Sequence, residues 1–284
     1  MSNPFMTRRQ TLRQSLQQPK ILSAPAIYDC IGAKLAENAG FEAIFTSGFG
    51  TSAALLGLPD MGFLTATEML EMAGNIARSV QIPVIADLDT GYGNELNVKR
   101  TIAMAVERGI SGVILEDQEW PKRCGHFEGK RVIPAEEQVQ KLKAAAEARG
   151  DSGLVIVART DARAVEGLEA AIARAHKYHL AGADVIFVEA PQSREELDAV
   201  ARAFPEVPLM ANVIEGGKTP CLSAQELETL GYSLVAYALS GLFASVGAVR
   251  AYFQQLQATG QVTTTEDLVQ FEEFKRLINL DRYA

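Results

Sequence analysis

Cysteine, histidine and long apolar runs are all scarce in this sequence, and each scarcity excludes something. The three cysteines, Cys30, Cys124 and Cys221, are an odd number at wide spacings. They fit neither a disulfide framework nor a thiolate zinc site, so a reducing, cytoplasmic setting is expected. Of the three histidines, His176 and His179 fall in one helical pattern ending at Ala181-Gly182 and read as partners of a helix C-terminus, not as catalysts. No stretch of about 18 apolar residues occurs, and the first eighteen residues are polar and basic with no apolar core, so neither export nor membrane spanning is expected. Positive charge is also short, with 27 Lys+Arg against 35 Asp+Glu and a net charge of −8. Without a basic stripe, partnership with nucleic acid or an anionic membrane is not expected. A small anionic substrate remains compatible, because Lys122, Arg123 and Arg159 can converge locally.

What the chain does have is a repeated unit. Its 284 residues are 48% hydrophobic, enough for a large core, and one domain over residues 1–284 is expected. Short β-branched runs at 21–29, 42–48, 83–89, 112–117, 154–160, 184–190, 208–213 and 233–239 alternate with helical patterns at 65–80, 95–108, 135–148, 167–181 and 193–204. That alternation is the sequence form of a parallel sheet covered by helices. Gly40, Gly109 and Gly182 stand where left-handed helix caps are wanted. An open doubly wound sheet is the alternative, yet the first run leads into Tyr28-Asp29-Cys30-Ile31-Gly32, which is no dinucleotide fingerprint. Eight runs favour a closed (β/α)8 barrel of the TIM type. Residues 1–18 read as an amphipathic helix or loose arm, and 240–284 as extra C-terminal helices. One of these covers 241–257; another is opened by the capping-box pattern Thr263-Thr264-Thr265-Glu266. Its stripe of Leu268, Phe271, Phe274, Leu277 and Ile278 offers two readings, packing on its own barrel or against a partner subunit.

Barrel active sites form at the C-terminal ends of the strands, and there the runs become polar: Thr46-Ser47-Gly48, Asp87-Leu88-Asp89, Glu116-Asp117, Arg159-Thr160-Asp161, Glu189 and Asn212. Asp and Asn also start turns, but Arg159 and Glu189 are not favoured turn formers. Asp87 and Asp89, two apart on a strand, share a face. With Glu116 and Glu189 they crowd negative charge into one mouth, a costly arrangement unless a cation sits among them. Carboxylate oxygens without clustered His or Cys point to Mg²⁺ or Mn²⁺ rather than zinc. The segment after the fourth run, residues 118–131, contains Lys122-Arg123-Cys124-Gly125-His126 and reads as a long loop. Its neighbouring cations are expected to lower the thiol pKa of Cys124.

These motifs, Asp87-Leu88-Asp89-Thr90-Gly91-Tyr92-Gly93, Glu116-Asp117-Gln118 and the Lys-Arg-Cys-Gly-His loop, resemble the isocitrate lyase/phosphoenolpyruvate mutase superfamily over about residues 21–253. The cysteine resembles the lyase branch. The resemblance implies last helices exchanged between subunits of a homotetramer, a dimer of dimers. It implies Mg²⁺ held by Asp87 and Asp89, with Glu116 behind them. It implies a small 2-hydroxy diacid or 2-oxo acid substrate against Ser47, Gly48, Phe49, Asp60 and Gly125, gripped by Arg159, with Glu189 and Asn212 around it. Cys124 becomes the proton donor, with Arg159, Glu116, Lys122 and His126 also catalytic. Isocitrate and methylisocitrate lyases recognise a further carboxylate at positions that align here with Ile214 and Phe243. An added carboxylate would lack a partner there, so the branch cleaving 2-alkylmalates and dimethylmalate is expected. Methylisocitrate cleavage, oxaloacetate hydrolysis or decarboxylation, and carboxyvinyl-carboxyphosphonate phosphorylmutase chemistry are the enzymatic alternatives; a metal-binding pseudoenzyme is the non-enzymatic one. Phe45 replaces a tyrosine of some lyases, which leaves the base for the 2-hydroxyl proton open.

Overall fold

A computed structural model describes residues 4–262 and 268–283. Its eight strands each fall inside one of the expected runs: β1 (Leu22–Ile27), β2 (Ile44–Thr46), β3 (Val84–Asp87), β4 (Gly112–Glu116), β5 (Val155–Thr160), β6 (Val185–Val188), β7 (Met210–Val213) and β8 (Leu234–Tyr237). All are parallel, in the order 6-5-4-3-2-1-8-7. A parallel bridge between Ile186 and Leu209 brings β6 beside β7 and closes the ring, which gives the expected TIM-type barrel.

The helices in chain order are α1 (Pro4–Ser15), α2 (Cys30–Asn38), α3 (Gly48–Leu56), α4 (Ala66–Ser79), α5 (Glu95–Glu107), α6 (Ala135–Arg149), α7 (Ala162–Val165), α8 (Leu168–Leu180), α9 (Arg194–Ala203), α10 (Ala224–Leu230), α11 (Ser240–Thr259) and α12 (Phe271–Leu277). Gly40, Gly109 and Gly182 have φ of 90°, 79° and 111°, the left-handed geometry expected where these helices end. The capping-box residues Thr263 to Glu266 lie outside the described residues.

Two cores follow from strand alternation. Outward residues such as Ile156, Ala158, Ile186 and Val113 pack under the helices, while inward residues such as Leu22, Ile85, Val155, Val157 and Leu234 fill the barrel. The N-terminal segment is a docked helix rather than a loose arm. Leu12 of α1 is fully buried in the inner core, against the N-terminal end of the strands: a Cβ on Gly112, the first residue of β4, would lie 3.2 Å from Leu12 Cδ2. Its arginines donate to carbonyls at, and just beyond, the C-terminal ends of barrel helices. Arg8 Nη1 donates to Ala77 O at 2.6 Å and Arg9 Nη2 to Val106 O at 2.6 Å, while Arg9 Nε donates to Ile110 O at 2.8 Å. The base of the barrel is thereby sealed, which leaves the opposite end for ligands.

Replacing Arg9 by Leu removes its bonds to the carbonyls of Val106, Ile110 and Ser152. It is expected to lower unfolding stability by about 1–3 kcal/mol, measured by urea denaturation; an unchanged midpoint would mean the arm does not hold the base.

Candidate active site

The polar mouth follows from period two. Inward positions along a strand run apolar at the base and change to charged or polar at the top: Ile85 then Asp87, Ile114 then Glu116, Val157 then Arg159, Phe187 then Glu189, Met210 then Asn212. Parallel register sets them side by side, with Glu116 opposite Arg159 and Arg159 opposite Phe187. The same pattern that packs the barrel therefore delivers the functional groups to one level.

Asp87 and Asp89 do converge, though not by strand geometry alone. β3 ends at Asp87 and Asp89 is left-handed at φ 49°, a strained conformation for a residue other than glycine. Asp87 accepts from Gly48 N at 3.1 Å and from Asp89 N at 3.2 Å. Lys122 is buried between carboxylates, with Nζ 2.6 Å from Asp60 Oδ1 and 2.7 Å from Asp89 Oδ1. Burial raises Asp89 to about 6 despite the pull of Lys122. It also pushes Glu116 well above the usual carboxylate range, although Arg159 opposes the shift. Lys122 is held well above its ordinary value, because Asp89 and Asp60 outweigh its burial.

These groups fit a divalent ion. Glu116 Oε1 is buried with no hydrogen-bond partner, and Asp89 Oδ1 is paired to Lys122 by charge without hydrogen-bond geometry. Among the described residues no group of three or more His, Cys, Asp or Glu side chains is placed to hold a metal ion; Mg²⁺ keeps several waters and needs only one or two carboxylates.

Arg159 is set by a fork. Its Nε and Nη2 donate to the two oxygens of Asp161 at 2.9 and 3.0 Å, and Nη1 lies 3.2 Å from Glu116. Asp161 is fully buried and also accepts from Lys130 Nζ at 2.7 Å. Burial would raise Asp161, but Arg159 and Lys130 hold it down at about 2. Asp117, the last acid of the Glu-Asp pair, supports this corner from behind by accepting from Thr160 Oγ1, Asp161 N and Tyr178 OH at 2.8 to 2.9 Å.

The cysteine segment is a loop, as expected. A bridge between Gln118 and Val132 pairs its ends, and Gln118 holds both the N and O of Arg123. His126 Nδ1 accepts from Lys218 N at 3.0 Å, so a neutral ring carries its proton on Nε2, which lies 3.0 Å from Glu189 Oε1. Arg159 and His126 hold Glu189 below the ordinary range against its burial. The expected lowering of the Cys124 thiol is reversed: burial pushes it up to about 11. The adjacent cations are directed elsewhere, Lys122 to Asp60 and Asp89, and Arg123 to Glu128 O. Of the three cations expected to converge, Lys122 and Arg159 do, and Arg123 is exposed.

Ser47, Phe49, Asp60, Asp87, Cys124, Gly125, His126, Arg159, Glu189, Asn212 and Ile214 line one small cavity of roughly 40 Å³. Gly48 abuts the acids, since a Cβ there would lie 2.9 Å from Asp87 Oδ2. The rest of the lining is apolar: Phe45, Ile114, Phe187, Met210, Ile214, Ala238 and Leu239. Phe243 is not brought in: it sits on α11, 46% exposed and away from the lining. Asp161 is named from sequence only as part of a polar strand end, and neither it nor Lys130 is given a role there. The signals that would have found them are the alternation continuing from Arg159 to Asp161 and a second lysine in the cysteine loop.

Comparison with known proteins agrees with this geometry. The family described as phosphoenolpyruvate phosphomutase matches residues 12–257. The chain is 44% identical to the petal death protein of Dianthus caryophyllus, over 97% of this chain and 87% of that one. It is 39% identical to 2,3-dimethylmalate lyase of Eubacterium barkeri, over 95% and 94%. A crystal structure of a 2,3-dimethylmalate lyase aligns with TM-score 0.93 at 34% identity, covering 100% of this chain and 94% of that one. Phosphonopyruvate hydrolase in complex with oxalate and Mg²⁺ aligns with TM-score 0.87 at 33% identity, covering 97% and 96%. A barrel of this topology, with paired acids at its mouth and a thiol loop folded over them, thus belongs to the phosphoenolpyruvate mutase/isocitrate lyase superfamily.

Proposed function

We propose that this protein is a Mg²⁺-dependent carbon–carbon lyase that cleaves a 2-hydroxy diacid of the 2-alkylmalate or dimethylmalate type into a 2-oxo acid and a short carboxylate. The observation that carries the reading is that Asp87, Arg159 and Cys124 line one partly apolar cavity, with Asp89 buried against Asp87 and Glu116 buried against Arg159. Asp87 and Asp89 would hold the ion, with Glu116 behind them; when bound, Mg²⁺ draws electron density from the 2-hydroxyl and its carboxylate and favours the 2-oxo product. Arg159, turned by Asp161, keeps one N–H of Nη2 and the Nη1 N–H not directed at Glu116 for a substrate carboxylate. Gly48 and Phe49 close the near side.

Cleavage leaves the bond pair on the departing carbon, and a proton must reach that carbon. Cys124 suits this step because its raised thiol is protonated at neutral pH, as an acid must be and a nucleophile must not. Ile214, Met210 and Leu239 provide no partner for a further carboxylate and fit an alkyl substituent. Assembly as a homotetramer with exchanged C-terminal helices is part of this reading. It is supported by Val246, Val249 and Phe253 of α11 and Phe271 of α12, which are 48 to 77% exposed. The three free cysteines fit a cytoplasmic enzyme.

Incubation with dimethylmalate, methylisocitrate and oxaloacetate, with and without Mg²⁺, is expected to give metal-dependent release of a 2-oxo acid from dimethylmalate above all. Turnover of none would sink the lyase reading. Cys124→Ser should keep the fold and lose about 100-fold in kcat, whereas near-normal turnover would remove Cys124 from the mechanism. Alkylation of Cys124, followed by peptide mass spectrometry, should climb about tenfold per pH unit from pH 8 toward 11; a plateau near pH 8.5 would contradict the raised thiol. Phe253→Asp should lower the molar mass measured by light scattering from that of a tetramer, and an unchanged mass would place the contact elsewhere.

A further inference from the structure

Lys130 is a buried cation for which the mechanism above has no use. Its side chain is 2% exposed, and its ammonium makes two contacts that belong to different parts of the site. One is to the carbonyl of Gly125, next to Cys124 in the loop; the other is to Asp161 Oδ1 at 2.7 Å. Asp161 in turn forks onto Nε and Nη2 of Arg159. A single buried carboxylate therefore fixes both the guanidinium that faces substrate and the lysine that holds the thiol loop down.

The loop meets the barrel closely at this same point. A Cβ on Gly125 would lie 2.4 Å from Arg159 Nη2 and 2.6 Å from Glu189 Oε1, so the Gly125 backbone rests directly on the two groups around the substrate position. Lys130 lies at the anchored end of the loop, next to the Gln118–Val132 bridge, so if the Cys124–Gly125 stretch lifts, the Gly125 carbonyl leaves Lys130, whose buried ammonium then loses one of its two acceptors. Losing an acceptor is costly for a buried charge, so Lys130 favours the closed loop. It does so from a position fixed by Asp161, which also orients Arg159.

We propose that Lys130 is a positioning residue for proton delivery: it clamps the Cys124 loop shut from an anchor, Asp161, that it shares with Arg159, so that loop closure and carboxylate grip are set together. The proposal rests on the reading of Cys124 as proton donor, but its test need not. Thiol accessibility reports closure without turnover, and the exposed Cys221 serves as an internal control.

Iodoacetamide labelling at pH 8, resolved by peptide mass spectrometry, would be compared in wild type, Lys130→Met, Lys130→Gln and Lys130→Arg, each with Mg²⁺ and with or without oxalate. The expected result is slow Cys124 labelling in wild type, slower still with oxalate. In the Met and Gln variants Cys124 should label roughly tenfold faster or more, with oxalate no longer protecting it and Cys221 unchanged. Lys130→Arg should restore part of the protection. Where turnover is measurable, kcat should fall by more than KM rises.

Cys124 labelling within about twofold of wild type in both uncharged variants would overturn the proposal. So would a parallel rise at Cys30, which would signal general loosening, or loss of folding in both variants, which would make Lys130 a support of the barrel rather than of the loop. Changed labelling without any carbon–carbon cleavage would uphold the clamp and sink the lyase reading, while cleavage with unchanged labelling would do the reverse.

Discussion

The mouth of this barrel depends on compensating a dense group of buried carboxylates. Asp60, Asp89, Glu116, Asp161 and Glu189 are all nearly inaccessible to solvent, with Lys122, Arg159 and Lys130 as their buried cationic partners. Isolated charges of this kind are unfavourable in a protein interior and are tolerated only when paired. The pairing is uneven. Asp161 has two cations that hold it down at about 2, whereas Glu116 has one guanidinium nitrogen at 3.2 Å and an unpartnered oxygen and is pushed the other way by burial. That gradient divides the mouth into a saturated corner that holds Arg159 still and an unsaturated corner where a divalent ion fits.

The same burial decides what the thiol can do. A cysteine beside two basic residues in sequence invites comparison with activated nucleophiles, whose thiolates are stabilised by nearby charge. Here the loop folds so that each charge finds another partner, and the sulfur is left in a poorly solvated place. Under the function proposed above, such a thiol serves as a proton store rather than a nucleophile. His126 contributes through its ring orientation, tying the loop to the segment after β7 through Lys218 N and to β6 through Glu189.

Much of this was legible beforehand, for a physical reason. All eight strands and the depth of Asp87, Glu116, Arg159, Glu189 and Asn212 follow from a two-residue repeat that sequence displays directly. What sequence did not display were directions and partners. Asp89 reaches the cluster through a left-handed backbone, which no propensity foretells for aspartate after leucine. The Lys130–Asp161 pair spans 31 residues and exists only once the loop has folded over β5. Phe243 aligned with a specificity position yet lies on an exposed turn of α11, because helical position alone does not say which surface a C-terminal helix presents to the mouth.

The absence of a side chain at Gly125 makes the cavity one-sided. Its backbone lies flush on Arg159 and Glu189, and that face has no room to grow or to change shape. Room for bulkier or differently shaped acids must then come from the apolar lining residues Phe45, Ile114, Met210, Ile214 and Leu239. Diversification within this architecture would be written in the sizes of those five residues while the charged half stays fixed.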